Sequence, residues 1–153
     1  MKNQEKNIIT DLEEELKYLM KGLDTLTYSY THCQKIGIKE SYSYEELDKW
    51  EAFTARYARL SDILTQKIFN SMMIVMEGYA GSLIDKAHFA EKNNLLSSAE
   101  KFTQLRLLRN FIAHEYTKQN TNEIFIKVFD NCPMLIDLIV SVNGFCKKNI
   151  FSA

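Results

Sequence analysis

The chain of 153 residues is poor in the two residue types that make tight turns, since it contains five glycines and one proline. Average usage would supply about twice as many glycines and several times as many prolines. Sandwiches and barrels need many turns, so this scarcity disfavours an all-β fold. It favours a small number of long helices.

Several other features are missing. No apolar run of about 18 residues occurs, and residues 1–7 lack the basic-then-apolar order of a signal peptide, so we expect a cytoplasmic protein without a membrane span. The cysteines Cys33, Cys132 and Cys146 form no Cys-x-x-Cys pair, so we expect buried, reduced thiols. Asp85 and His88 share a helical face, but a two-metal bundle would need a second copy of such a motif. We therefore predict no metal and no cofactor.

The charges nearly cancel, with 19 Lys and Arg against 20 Asp and Glu. A nucleic-acid function would therefore have to be local, because a general binder of phosphate backbones has a basic surplus. Residues 85–118 do have a small basic surplus, because they include six basic and four acidic residues.

Apolar residues at spacings of three and four predict a first helix over residues 6–32 and a longer second helix that ends at Gly78. Ser43 and Glu46 have the spacing of a capping box at the start of this second helix. Three more caps are predicted: Ser82 with Asp85 for a short helix ending at Asn93–Asn94, Ser97 with Glu100 for a helix to about Thr117, and Asn120 with Glu123 for the last helix.

Pro133 lies within the last helix, which should kink there or restart with the ring in its first turn. Long helices joined by short connectors pack as antiparallel neighbours. The sequence therefore predicts one all-α domain over residues 1–153, an up-and-down four-helix bundle with one short additional helix.

The helix expected over residues 98–117 has a polar strip beside its apolar core face. In a helical projection the strip comprises Thr103, Arg106, Asn110, Ala113, His114 and Thr117. Arg109 borders the strip on the core side. Leu107 and Phe111 fall beyond its other edge, where a helix with one buried face should be polar, so a second burial partner is predicted. A homodimer about a two-fold axis fits, because two Arg109 and two His114 would then converge in one cleft.

Residues 109–116, Arg-Asn-Phe-Ile-Ala-His-Glu-Tyr, resemble the Arg-x4-His-x-Tyr motif of HEPN-superfamily ribonucleases, particularly the HepT-like toxins encoded beside minimal nucleotidyltransferase antitoxins. The resemblance covers about residues 45–117. It implies a metal-independent endoribonuclease toxin of a toxin–antitoxin system, with RNA as substrate and a cognate nucleotidyltransferase as partner.

The residue types suit that chemistry. The 2′-hydroxyl of a ribose attacks the adjacent phosphorus, which requires a base, an acid and a cation. His114 would act as acid or base, because imidazole changes its charge near neutral pH. Arg109 offers a planar fork of donors to phosphate oxygens. Asn110, one turn before His114, would orient the imidazole or donate to phosphate.

The other roles that we consider lie around this motif. The resemblance implies that Tyr116 accepts AMP units from the antitoxin, whereas a buried structural tyrosine is the alternative. Arg106, Lys101 and Lys118 are candidate RNA contacts, although a solvated charge is the simpler interpretation of each. Similarly, an arginine and a histidine near a helix end are often no more than charges that suit the helix dipole.

Two further alternatives concern the whole chain. The protein could be a non-catalytic helical partner that presents substrate to a minimal nucleotidyltransferase, or a plain helical scaffold. The tyrosines at positions 28, 30, 42 and 44 flank the first interhelical turn and could stack on bases, although packing against helix ends is the simpler role.

Overall fold

The computed structural model describes residues 2–115 and 120–151, and these residues form helices and connectors without a strand. The helices are α1 (Lys2–Ile36), α2 (Tyr44–Asp62), α3 (Phe69–Glu77), α4 (Leu83–Lys92), α5 (Ala99–Glu115) and α6 (Thr121–Asn149). A π-helical segment, Ile63–Ile68, joins α2 to α3 without interruption, so residues 44–77 form one long helix. The predicted all-α bundle with a short additional helix, which is α4, is confirmed.

Contacts between α1 and α2 show that these helices run antiparallel. The thiol of Cys33 lies 3.5 Å from the carbonyl oxygen of Lys49, and Arg56 donates a hydrogen bond to the hydroxyl of Ser29. Later residues of α2 therefore contact earlier residues of α1.

The α5 helix runs antiparallel to the long helix formed by residues 44–77. The rings of Phe102 and Phe69 have centroids 4.8 Å apart, while Arg109, two turns later on α5, contacts the earlier residue Asp62. Both of these pairs of neighbouring helices are thus antiparallel, as predicted.

The core is filled by the apolar stripes of the four long helices. Trp50 is buried, stacks on Phe125 with centroids 4.9 Å apart, and donates its indole N–H to the carbonyl oxygen of Gly37 at 3.2 Å. The three cysteines are free and buried, as predicted. Among the described residues, no helix has the length and apolar character required to cross a membrane.

The π-helical segment keeps the apolar stripe of the long helix in the core. Leu60, Leu64, Ile68 and Met72 are all buried and follow one another at intervals of four residues. Since an α-helix completes a turn in 3.6 residues, three such intervals would rotate the stripe away from the core. The wider turns of a π-helix reduce that rotation.

Two of the predicted caps are confirmed. The Ser43 hydroxyl accepts a hydrogen bond from the Glu46 N–H at 3.1 Å, and the Glu46 carboxylate accepts one from the Ser43 N–H at 3.0 Å. Ser82 and Asp85 form the same reciprocal pair. Hydrogen bonds from Lys39 and Ser43 lower the pKa of Glu46, and those from Ser82 lower the pKa of Asp85.

The Ser97–Glu100 capping box is wrong. The α5 helix begins at Ala99, and its first N–H donates to the carboxylate of Glu91 at 2.8 Å. A side chain on the preceding helix therefore accepts one of the N–H groups at the start of α5 that have no partner within the helix.

The cap predicted for the last helix is correct in position but not in its hydrogen bond. Asn120 occupies the N-cap position of α6, but its side chain makes no capping hydrogen bond and instead donates to the Glu115 carboxylate at 2.6 Å. The expected restart at Pro133 does not occur, because α6 continues through it. Pro133 occupies an exposed position of α6, where its ring removes one backbone hydrogen bond.

Candidate functional site

Two arginines of α5 meet a single carboxylate of α2. Arg109 donates its Nε–H to Asp62 Oδ2 at 3.0 Å, and Arg106 Nη1 lies 3.6 Å from Asp62 Oδ1. Each of the three side chains is about one third exposed, at 30%, 35% and 33% respectively. The predicted catalytic arginine is therefore held in one orientation against the bundle, with solvent access.

Asp62 was not singled out by the sequence analysis. It lies 47 residues before Arg109, in the last position of α2, directly before the π-helical segment. Its Oδ1 atom is buried and accepts no hydrogen bond from the residues that the structure describes. A pairing between residues so far apart leaves no local pattern in the sequence, because no motif includes both residues.

The charge around Asp62 is positive on balance. Lys86 of α4 is close enough to Arg106 for their like charges to interact, and burial together with this repulsion lowers the pKa of the Lys86 ammonium. Arg106 and Arg109 thus share one carboxylate, and Lys86 adds a further positive charge beside Arg106. A phosphate oxygen near Arg109 would meet a net excess of positive charge.

The N–H donors of Arg109 that Asp62 does not accept from are also suited to a phosphate oxygen. Its Nε–H is taken by Asp62, whereas the Nη groups donate no hydrogen bond to any side chain or backbone group in the described part of the protein. A guanidinium has five N–H donors, so one ion pair leaves a fork available to an oxyanion.

The outward side of α5 presents the rest of the predicted strip. Asn110, Ala113 and His114 are exposed, and His114 lies in the last turn of the helix. Thr103 is half-buried, with its hydroxyl directed to the carbonyl oxygen of Ala99 at 3.5 Å. Because Ala113 has a short side chain, the strip is shallow between Arg109 and His114.

The apolar flank of α5 differs from the sequence interpretation. Leu107 is 60% exposed, which agrees with the prediction that its cover would have to come from a second chain. Phe111, in contrast, is half-buried against the core of its own chain, and Lys127 Nζ of α6 lies 4.6 Å from its ring centroid. Only Leu107 therefore remains without substantial cover, because Phe111 reaches across to α6.

Arg109 and His114 do not form one compact pair within the chain. Five residues along a helix rotate a side chain by about 140°, and Arg109 is bonded to α2 while His114 is exposed on the other side of the strip. Lys101 is exposed at the far end of α5. Tyr116, Thr117 and Lys118 lie outside the described residues.

The tyrosines around the first turn have mixed surroundings. Tyr30 stacks on Phe129 with centroids 4.7 Å apart, and the Tyr42 hydroxyl donates to Asn122 at 2.7 Å, so both have packing roles. Tyr28 and Tyr44 are 60% and 90% exposed. In residues 2–115 and 120–151 no three His, Cys, Asp or Glu side chains are grouped so that they could hold a metal ion.

Comparison with protein-family models, curated protein sequences and solved structures finds no match to this chain.

Proposed function

We propose that the chain is a metal-independent endoribonuclease of the HEPN type, the toxin of a HepT-like toxin–antitoxin pair. The observation that carries the proposal is the arrangement of α5. Arg109, fixed by Asp62 in a positively charged setting, borders an exposed strip that contains Asn110 and His114. This is the residue set that phosphoryl transfer to a ribose 2′-oxygen needs.

The proposed reaction is an internal transfer. A base removes the proton of the ribose 2′-hydroxyl, the 2′-oxygen bonds to phosphorus, and the bond from phosphorus to the 5′-oxygen breaks. An acid protonates the leaving 5′-oxygen. The products are a 2′,3′-cyclic phosphate and a 5′-hydroxyl. Arg109 stabilises the charge that develops on the non-bridging oxygens, and His114 transfers protons.

A homodimer supplies the geometry that one chain lacks. Since Arg109 and His114 lie on different sides of the strip, a two-fold axis through the strip would place the His114 of one protomer opposite the Arg109 of its partner. The exposed Leu107 at the edge of the strip would be buried by the same contact. Two imidazoles in one cleft would also supply both a base and an acid.

The regulatory partner in this proposal is a minimal nucleotidyltransferase that transfers AMP to Tyr116. Tyr116 comes one residue after the end of α5 as described, close in sequence to His114. Phosphates added there would compete with RNA for Arg109, so inhibition follows from charge. A protein that acts on cellular RNA in this way would act in the cytoplasm.

The test is cleavage of a single-stranded RNA by the purified protein in EDTA, with product ends analysed by mass spectrometry. We expect cyclic phosphate ends from the wild type and a loss of at least about 100-fold in rate for His114→Ala. The matched control is His88→Ala, which removes another exposed histidine, on α4. Equal rates for wild type and His114→Ala would refute the assignment.

A second candidate is a non-catalytic partner of a minimal nucleotidyltransferase. The pairing of Arg109 with Asp62 favours it, because a paired arginine also serves as a structural contact between helices. No cleavage by the wild type, together with nucleotide-dependent binding to the enzyme encoded next to it, would support this candidate.

A further inference from the structure

A groove between α1 and α2 has the character of a second anion site. It contains a cavity of about 210 Å³ whose lining includes Tyr18, Lys21, Thr25, Arg56 and Arg59. Three of these five side chains are cations, and no carboxylate lines the cavity. We call this cavity and its continuation along α1 towards Tyr28 the α1/α2 groove.

The floor of the groove is set by a close approach of the two helices. A Cβ atom added at Gly22 would lie 2.4 Å from Cδ2 of Leu60, so α1 and α2 are closer here than a larger residue would allow. The longer side chains on each side of Gly22 form the walls. The shape thus follows from one glycine in the interior of a helix.

The three cations that line the first cavity form no ion pair with the residues that the structure describes. The four arginines of the chain form two pairs at i and i+3, and the pair on α5 shares Asp62. In the part of the chain that the structure describes, Lys21, Arg56 and Arg59 have no carboxylate oxygen within 4.0 Å. Arg56 is oriented by its hydrogen bond to Ser29. Unpaired guanidinium groups on one wall are suited to phosphate oxygens.

Exposed aromatic rings lie on both sides of these cations. Tyr18 is 53% exposed and Tyr28 is 60% exposed, and ten residues of helix separate them by about 15 Å. The ring of Tyr28 lies 4.1 Å from that of His32, at a second cavity of about 240 Å³ that Arg56 also lines. Exposed rings beside a basic groove are the arrangement on which bases of a single strand stack.

Two carboxylates lie at one end of the α1/α2 groove. Glu45 and Asp48 line the second cavity, and Glu45 is paired with Lys49 at 3.7 Å. Phosphates are therefore expected in the first cavity, which Arg56 and Arg59 line without a carboxylate. Arg59 precedes Asp62 by three residues, so the two are neighbours on the surface of α2. Less than one turn of α2 therefore separates Arg59 from the carboxylate that binds Arg109.

We propose that the α1/α2 groove binds single-stranded RNA, with phosphates on Lys21, Arg56 and Arg59 and bases on Tyr18 and Tyr28. The groove would hold the strand beside the site at which the α5 strip cuts it. The identity of the strand as a substrate rests on the proposed ribonuclease function, whereas binding in the groove does not require cleavage.

The experiment measures binding of a fluorescein-labelled ten-residue oligouridylate by anisotropy, in the His114→Ala background so that the probe stays intact. We expect Arg56→Ala/Arg59→Ala to raise Kd about tenfold or more and to reduce the slope of log Kd against log salt by about 1.4, which corresponds to two lost phosphate contacts. Arg59→Ala alone, at an exposed position, should give a smaller rise in the same direction and leaves the Arg56–Ser29 contact in place.

The matched control is Lys35→Ala/Lys147→Ala, which removes two positive charges at exposed positions outside the α1/α2 groove. Equal Kd values for this control, Arg59→Ala and the double arginine variant would overturn the proposal. A labelled polyglutamate that binds as tightly as the oligouridylate, and is weakened by the same arginine variants, would overturn it in favour of an acidic protein partner.

The two proposals fail separately. Binding that depends on the α1/α2 groove, without cleavage by the wild type, would refute the ribonuclease function and support RNA binding in the groove. Cleavage of RNA with unchanged binding in the arginine variants would refute the groove and leave the ribonuclease.

Discussion

Arg109 donates its Nε–H to Oδ2 of Asp62 at 3.0 Å, and this bond joins two helices through residues 47 positions apart. The pair is only partly buried, so its contribution to the free energy of unfolding should be about 0–1 kcal/mol. Its larger effect is on position, because it determines where the remaining donors of Arg109 meet an oxyanion.

Asp62→Ala should therefore reduce catalysis while leaving the fold intact. We expect kcat for RNA cleavage to fall about 10- to 100-fold, since a small displacement of a catalytic group has effects of this size. KM should stay the same or decrease, because the change removes a negative charge beside two arginines. Glu51→Ala, at an exposed position of α2, is the control for lost charge. A parallel loss of kcat and thermal stability would instead indicate a structural role for Asp62.

Leu107→Glu should weaken the proposed dimer. Leu107 is 60% exposed beside the α5 strip, and a carboxylate there would be buried against its symmetry mate. Sedimentation equilibrium should show a shift towards monomer for this variant. Ile84→Glu is the control, because Ile84 is 65% exposed on a different helix, α4. The dimer interface is elsewhere if both variants keep the association constant of the wild type.

The fold was predictable because its signals are local and repeated. The apolar periodicities of residues 6–32 and 43–78 each specify one buried face, and the structure buries these faces. The boxes at Ser43 and Ser82 were also predicted correctly, since donor and acceptor lie three residues apart.

Features that depend on contacts between helices could not be predicted in this way. Glu91 accepts the first N–H of α5 from a neighbouring helix, and Asp62 orients Arg109 from 47 residues away. Phe111 was expected to require a second chain, but it reaches α6 and contacts Lys127. The sequence therefore predicted which residues α5 presents more reliably than it predicted what they touch.

Glu46 should make stability depend on pH in the acid range. Its pKa in the folded protein is lowered from the ordinary value of 4.5, mainly by the hydrogen bond from Lys39. The unfolded chain therefore binds a proton more readily, so the contribution is present above pH 4.5 and is lost as the pH falls through the lower folded pKa. Glu46→Gln keeps a side chain that can complete the capping box but does not titrate.

Urea unfolding of wild type and Glu46→Gln at a series of pH values tests this dependence. The advantage of the wild type should shrink on acidification below pH 4.5, where its carboxylate takes up a proton. A difference between the two proteins that is independent of pH would contradict the assignment.

The cysteines should be unreactive in the folded protein. Burial raises the pKa of Cys33 to about 11 and the pKa values of Cys132 and Cys146 to about 12, so little thiolate is present at pH 8. Labelling by a disulfide reagent should therefore follow the unfolding transition in urea. Ser41→Cys, at an exposed position, provides a thiol that should react at once. Rapid native-state labelling of the wild type would contradict the observed burial.

Two glycine substitutions should have opposite effects on stability. A Cβ at Gly144 in α6 would meet no atom within 4 Å, so Gly144→Ala should stabilise the protein by about 0.5–1 kcal/mol through helix propensity. A Cβ at Gly22 in α1 would lie 2.4 Å from Cδ2 of the buried Leu60, and relieving that overlap should cost about 1–3 kcal/mol. Since the propensity gain is smaller than this cost, Gly22→Ala should lower the midpoint of thermal unfolding while Gly144→Ala raises it. A rise for both variants would mean that Leu60 moves aside freely and that Gly22 does not set the distance between α1 and α2.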